Sequence, residues 1–478
     1  MADQSTELIG WQHLGWAGLI LVCIIFGLLA AFIGDSPLLM IGLIVLLTTV
    51  AIVFKYPFLG LQLYVTVFLF RPGEVFPALE VARLDMLTGG LAVLAVIVNQ
   101  AIRQRRVTLP TDRISVSIAA LLAAMYISVF GSYEATQTVN QCIEFAKILV
   151  FYYLIISLVD SRRRMLMFVS LFVLLIAYIG GDAYMNYLAG NFHHRMNIDR
   201  LIGTTSAGGD PNSLASTLSS AIPLFIALGL TFRNWLGKSA FFALGLCMIP
   251  LISITGSRAG ILVLAALVIM GAWMTRYKLP AILMVIILGV GGWFALPEQY
   301  QNRYASFSEV SSNDLDMASS GRWSIWERGL KMYLLKPLTG VGAGTFRWAN
   351  NSGDFGPPSS MESHNVFIQV AATTGTLGLV VWLTFLGFLV SRLRRLVKAV
   401  TQYPDQRWVR MMANGLVLSL ISLVVAGMFG HNLYRYTWYV IAGLAVVLSN
   451  MVDSFEPNDP EQSPMNRAAT GEISYGNS

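Results

Sequence analysis

His364 stands in Ser363-His364-Asn365, where a long polar stretch gives way to an apolar run. Ser363 is a capping residue type, so the imidazole is expected in the first turn of a helix. A helix N-terminus disfavours added positive charge, which keeps the ring neutral near pH 7, as a general base requires. An interfacial histidine bonded to a neighbouring carbonyl fits the same pattern. Asn365 and Gln369 are four apart, spaced to orient a sugar or a phosphate, or to bond another helix. Arg258, in Thr255-Gly256-Ser257-Arg258-Ala259-Gly260, interrupts two apolar runs and puts a guanidinium at the end of a tight helical hairpin. Charge at that depth is costly and function is the default expectation, with a structural pair to an acid as the alternative. Its fork of donors suits phosphate.

The 190–212 segment adds His193-His194-Arg195, Asp199-Arg200 and Gly208-Gly209-Asp210-Pro211-Asn212. Adjacent histidines do not share a helix face and no carboxylate-histidine spacing completes a site, so no metal is expected. Asp314-Leu315-Asp316 has the form of a paired-acid ion site, but the serines around it read as a solvated loop. Gly340, Gly342 and Gly344 give a loop that can approach a ligand or form a tight structural turn; without a Walker lysine-serine pair the phosphate-cradle signal is weak. Glu144 and Lys147, three apart inside an apolar run, predict an intramembrane ion pair of the kind transporters use. Nothing resembles a Walker motif, a haem site, a nucleophile elbow or a nucleic-acid module, so neither a cofactor nor a nucleic-acid partner is expected.

The elements that must position these residues are membrane helices. Of 478 residues 55% are hydrophobic and only 12% charged, with mean hydropathy +0.64, whereas soluble domains carry about a quarter charged residues. Repeated apolar runs match a hydrocarbon core roughly 30 Å thick, and in lipid the backbone must satisfy itself, so the chain reads as an all-α polytopic membrane protein of about 12–14 transmembrane helices. The stretch 37–70 predicts either a tight hairpin or one bent, partly re-entrant element, broken at Lys55-Tyr56-Pro57. Residues 1–297 form the N-terminal helices, 298–363 a long outer loop, 364–452 the C-terminal helices and 453–478 a disordered tail. Cys23, Cys142 and Cys247 lie in apolar runs and read as packing residues.

Loops rich in Lys and Arg, such as Arg162-Arg163-Arg164 and Arg392 through Arg410, place both termini in the cytoplasm and the 298–363 loop outside, in a bacterium the periplasm. Arg71, Arg83, Arg195, Arg200, Arg258, Arg322 and Arg435 then fall on the face that this bias depletes. Pairing with acids such as Glu74, Asp85 and Asp199 accounts for any one of them, while together they point to an anion-binding outer cavity. Within the loop, Trp323, Trp326, Leu330, Tyr333 and Leu334 share one face from Arg322 to Lys336, which predicts an amphipathic interfacial helix ended by Pro337.

The order Gly256-Ser257-Arg258-Ala259-Gly260, Ser320-Gly321-Arg322 with Trp326, Pro337-Leu338 with Gly340-Val341-Gly342-Ala343-Gly344-Thr345-Phe346, then Ser363-His364-Asn365 with Gly375 and Gly378, resembles the O-antigen ligase and polymerase superfamily over roughly residues 200–390. Phe70-Arg71-Pro72-Gly73-Glu74 also resembles a variant associated with exopolysaccharide and exosortase loci. The resemblance implies a GT-C-like glycosyltransferase of the bacterial inner membrane, inverting and metal-independent, moving glycan from undecaprenyl diphosphate at the periplasmic face. It implies His364 as base, Arg258 at the diphosphate, and a further arginine for which Arg195 and Arg200 compete, Arg200 being favoured. Arg322 and Asn365 complete the expected substrate contacts. The expected acceptor is lipid A-core; a polymerase, a protein O-oligosaccharyltransferase and, in a different class, a flippase are the alternatives.

Overall fold

The computed structural model describes residues 37–104, 110–195, 198–275, 278–305 and 312–455. The first apolar run with Cys23, and the polar tail beyond residue 455, lie outside the described residues, as do the side chains of Asp314 and Asp316.

The chain begins with α1 (Pro37–Lys55) and α2 (Pro57–Phe70). Pro57 sits at the start of α2 and holds Tyr56 out of the helical region at φ −131°, ψ 77°, so the 37–70 stretch is two helices rather than one bent element. Then follow α3 (Leu84–Gln104), α4 (Arg113–Ile127), α5 (Ala135–Leu158) and α6 (Arg162–Leu188). Asp112 caps α4 by accepting from the amides of Ile114 and Ser115, and Ser161 caps α6 through the Arg164 amide. A hairpin of β1 (His193–Arg195) and β2 (Ile198–Arg200) pairs His193 with Arg200 and His194 with Asp199; the sequence reading expected only a loop there. After it come α7 (Pro211–Thr231), α8 (Trp235–Ile254), α9 (Arg258–Met274), α10 (Lys278–Ala295) and the short α11 (Glu298–Ala305).

A helix, α12 (Ser312–Leu335), covers the stretch where an amphipathic helix is expected. It starts well before Arg322, its backbone helical through the run read as a solvated loop, where Leu315, Met317 and Ala318 are good helix formers. Ile325 and Met332 are buried, while Trp323, Leu330 and Leu334 are exposed. The bundle closes with α13 (Val366–Val400), kinked at Gly375 (φ 64°), α14 (Arg407–Met428) and α15 (Tyr436–Asp453).

Nine helices among the described residues are long and apolar enough to cross a membrane, with Met40–Lys55 and Arg258–Met274 shorter apolar helices. Their burial divides them: 89% of the apolar window of α15 and 78% of that of α7 is buried against protein, but only 22% for α3 and α8. The centre is thus α15 and α7, packed against α5, α14 and α8. Basic segments meet at one end, where the Arg162 guanidinium lies 5.5 Å from the Trp408 ring and Arg392 donates to Asn450 Oδ1 at 2.6 Å. The turns bearing Arg71, Arg200, Arg258, His364 and Arg435 join the helices at the opposite end.

Candidate functional site

One wall of the site is made of arginines gripping the turn between α8 and α9. Gly256 has φ +60°, a conformation that favours glycine, and β2 packs close on it: a Cβ there would lie 2.5 Å from Ile198 Cδ1, so that side chain would have to move. Ser257 caps α9 by accepting from the Gly260 amide at 3.2 Å, which makes Arg258 the first helical residue. Arg200, 4% exposed, donates through Nε to the Thr255 carbonyl at 2.7 Å and through Nη2 to Asn212 Oδ1 at 2.9 Å. Arg303 on α11 donates through Nε to the Gly256 carbonyl at 2.8 Å, and its own carbonyl lies 3.5 Å from Arg258 Nη2. The acceptors on Arg200 are neutral. Of the acids expected as partners, Glu74 does pair with one of the seven arginines, Arg71, at 2.5 Å, whereas Asp199 is held by His194 at 2.6 Å and Asp85 by Lys147 at 2.8 Å.

Crowding of like charge shows in the electrostatics. Burial, then the repulsion of Arg303, brings Arg200 down to about 10, with Asp210 opposing. Arg303 and Arg322 are also depressed, first by burial and then by Arg258. Cations held this way favour an incoming anion, which relieves their repulsion.

The opposite wall carries position rather than charge. Every amide from Gly340 to Thr345 is engaged within the protein: Gly340 on the Lys336 carbonyl, Val341 on Ala372, Gly342 on Thr373 and Thr345 on Gly342, Ala343 on Ser128 Oγ and Gly344 on the Tyr434 hydroxyl. The glycine loop is therefore a structural turn, docked on carbonyls beside the kink of α13, rather than a phosphate cradle. Gly340 has φ +66°, and a Cβ there would lie 2.5 Å from the Thr373 carbonyl carbon. From α12, Trp326 Nε1 donates to the Ser363 carbonyl at 3.0 Å.

His364 lies between these contacts with φ +47°, a left-handed conformation that is costly for a non-glycine residue and concentrates at functional sites. It is not in the first turn of α13. Asn365 is the cap, its Oδ1 accepting from Phe367 and Ile368 at 2.9 and 3.2 Å while its Nδ2 donates to the Met428 carbonyl at 3.3 Å. Both ends of the Asn365 amide are thus engaged within the protein. His364 is depressed as expected, but chiefly by burial, then by the fields of Arg322 and Arg195, with Asp210 opposing. Two residues upstream, burial raises Glu362 to about 7, with Arg347 opposing.

Beside His364 opens a cleft of about 460 Å³, mouth included, also lined by Asp210, Ala259, Gly260, His431 and Arg435. The His364 and His431 rings meet edge to face with centroids 5.5 Å apart. Burial, then His364, depresses His431 to about 4, and its Nδ1 has no partner among the described residues. Two neutral imidazoles thus share one cleft, an arrangement able to accept protons from hydroxyl groups.

Of the residues expected from sequence, Arg258 and Arg200 meet at one turn, His364 lines a cleft with Ala259 and Gly260 of the helix that Arg258 opens, and the fields of Arg195 and Arg322 reach His364 from an exposed strand and from α12. Arg303, Asp210 and His431 were not singled out. Arg303 carries the signal that marked the other arginines, a cation on the charge-depleted face; His431, alone between two apolar runs, carries none. No group of three or more metal-ligating side chains occurs among the described residues.

Residues 240–383, from α8 through the Gly256 turn and the glycine loop to α13, match the family model described as O-antigen ligase. No curated protein matches the chain.

Proposed function

We propose, on the premise that the chain is an O-antigen ligase-type enzyme, that it transfers O-antigen glycan from undecaprenyl diphosphate to a lipid A-core sugar at the periplasmic face of the inner membrane. In this GT-C-like reading both termini are cytoplasmic and the end bearing His364 faces the periplasm. The observation that carries it is the meeting of Arg200, Arg258 and Arg303 at one turn, with His364 beside them and under the field of Arg322.

Chemically, the arrangement supplies what an inverting transfer requires. Neutral His364 accepts the proton of the acceptor hydroxyl as its oxygen attacks the anomeric carbon. The bond from that carbon to the diphosphate oxygen breaks on the opposite side, and the departing diphosphate's charge is met by the arginines. These cations supply the stabilisation that a divalent ion gives in other group transfers, making the reaction metal-independent. The exposed apolar ridge of α12, with Trp323 and Leu330, sits in the membrane interface and holds the His364 turn through Trp326.

The test is transfer by purified protein from undecaprenyl diphosphate-linked glycan to lipid A-core, glycan or polypeptide acceptors, each offered alone and without added metal. Lipid A-core is expected to be glycosylated with inverted anomeric configuration. Arg258→Ala is expected to raise the donor KM and lower the rate by roughly 10²-fold. Transfer to none of the three, with translocation of the donor in liposomes, would overturn the enzyme in favour of a flippase.

A further inference from the structure

A glycosyl transfer needs a second substrate site, and a second polar cleft lies at the same end of the bundle. It spans about 970 Å³, mouth included, between the outer ends of α2 and α3, the middle of α5 and the 71–83 turn. Its lining mixes charges of both signs. Lys147 holds Asp85 and Glu144, each at 2.8 Å, so one cation faces two carboxylates. Glu74 is fixed by Arg71 at 2.5 Å and by the Ser206 amide and hydroxyl at 2.6 and 2.7 Å. Glu80 and Arg83 are exposed at its edge, and Arg71 Nε is buried without an acceptor among the described residues.

This lining differs in kind from the arginine wall. A carboxylate has about four lone-pair positions, and one salt bridge leaves the others to accept from hydroxyls. Carboxylates interleaved with guanidinium donors match a polyhydroxylated ligand, for which an all-cation site is unsuited. The turn that forms the rim exposes Phe76 and Val81 beside Glu80 and Arg83, a mixed apolar and charged edge suited to the lipid boundary. The cleft neighbours the one beside His364, although no residue lines both. Phe68 lines the second cleft and meets the Tyr436 ring at 5.7 Å; Tyr436 follows Arg435, which lines the first. Ser206, bonded to Glu74, belongs to the loop joining Arg200 to Asp210.

Resting on the transferase function above, we propose that this second cleft binds the glycan head group of a lipid-anchored acceptor, so that its far end can extend past the Phe68–Tyr436 contact and present a hydroxyl to His364.

The test is steady-state kinetics of the double variant Glu80→Gln, Arg83→Asn in the full-length protein. Neither residue supports the Glu74–Ser206 or Lys147 contacts, and asparagine tolerates the left-handed backbone at Arg83 (φ 41°). Loss of charged contacts is expected to raise the acceptor KM roughly tenfold or more, with donor KM and the rate at saturating acceptor unchanged. Equal rises in both KM values would indicate a structural effect and overturn the assignment, as would an unchanged acceptor KM. If wild-type protein glycosylates no acceptor, the transferase function itself has failed and the cleft assignment falls with it; transfer with an unaltered acceptor KM removes the cleft alone.

Discussion

The arginine wall and the glycine-loop wall of the site are built by opposite means. Around Gly256, cations are brought together against their own repulsion and anchored on neutral carbonyl and amide oxygens. Around Gly340, backbone amides are bonded internally and the product is a fixed location for His364. The first wall gathers positive charge at one turn; the second sets the geometry of one imidazole. In the proposed transfer the diphosphate leaving group needs the former and the proton acceptor the latter, so each should fail differently when cut.

The largest effect is expected at the imidazole. His364→Ala should lower the rate by roughly 10²–10⁴-fold while donor binding, set by the other wall, persists. His364→Gly relieves the φ of +47° and should be equally inactive, because the lost function is the base and not the backbone conformation. Donor binding by filter or fluorescence assay, beside transfer rates, separates the walls. Loss of donor affinity in either variant would break the division of labour.

Next in size is a cut to the positional wall. A Cβ at Gly340 would meet three backbone atoms of the α13 kink at 2.5–2.6 Å, and backbone cannot rotate aside as a side chain can. Gly340→Ala should cost roughly 2–4 kcal/mol of stability, seen as a lower Tm in detergent. An unchanged Tm would mean the loop is softer than its hydrogen bonds imply.

The two walls were unequally legible in the sequence. Arg258 and His364 stand out because each is polar where an apolar run breaks, and membrane helices expose such breaks plainly. The convergence of Arg200 on the same turn was not legible, since it depends on a hairpin whose two three-residue strands are too short to show periodicity. The cap of α13 was misplaced because Ser363 and Asn365 are both capping types; the amides of Phe367 and Ile368 decide for Asn365. The glycine loop was ambiguous between cradle and turn until its amides could be traced to Ala372 and Thr373. His431 lacks any local pattern, and only the packing of the α14–α15 turn against His364 reveals it.

The smallest effect tests whether the walls communicate through charge. Burial depresses His364 first, and the Arg322 field adds to it, so the acid limb of kcat/KM should lie below the ordinary histidine value of about 6.5. Removing Arg322 takes away a positive charge that opposes protonation. In Arg322→Ala the acid limb should therefore move to higher pH. Asp210 acts with the opposite sign, and Asp210→Asn, which keeps a capping type ahead of α7, should move the limb to lower pH. Arg195 and His431 stay in place in both variants and do not confound the comparison. Although its neighbours partly desolvate the Arg322 guanidinium, the residue still reaches solvent, so salt should screen its field and shrink the shift as ionic strength rises. A shift of the same sign in both variants would mean that packing, not charge, links the arginine wall to the base.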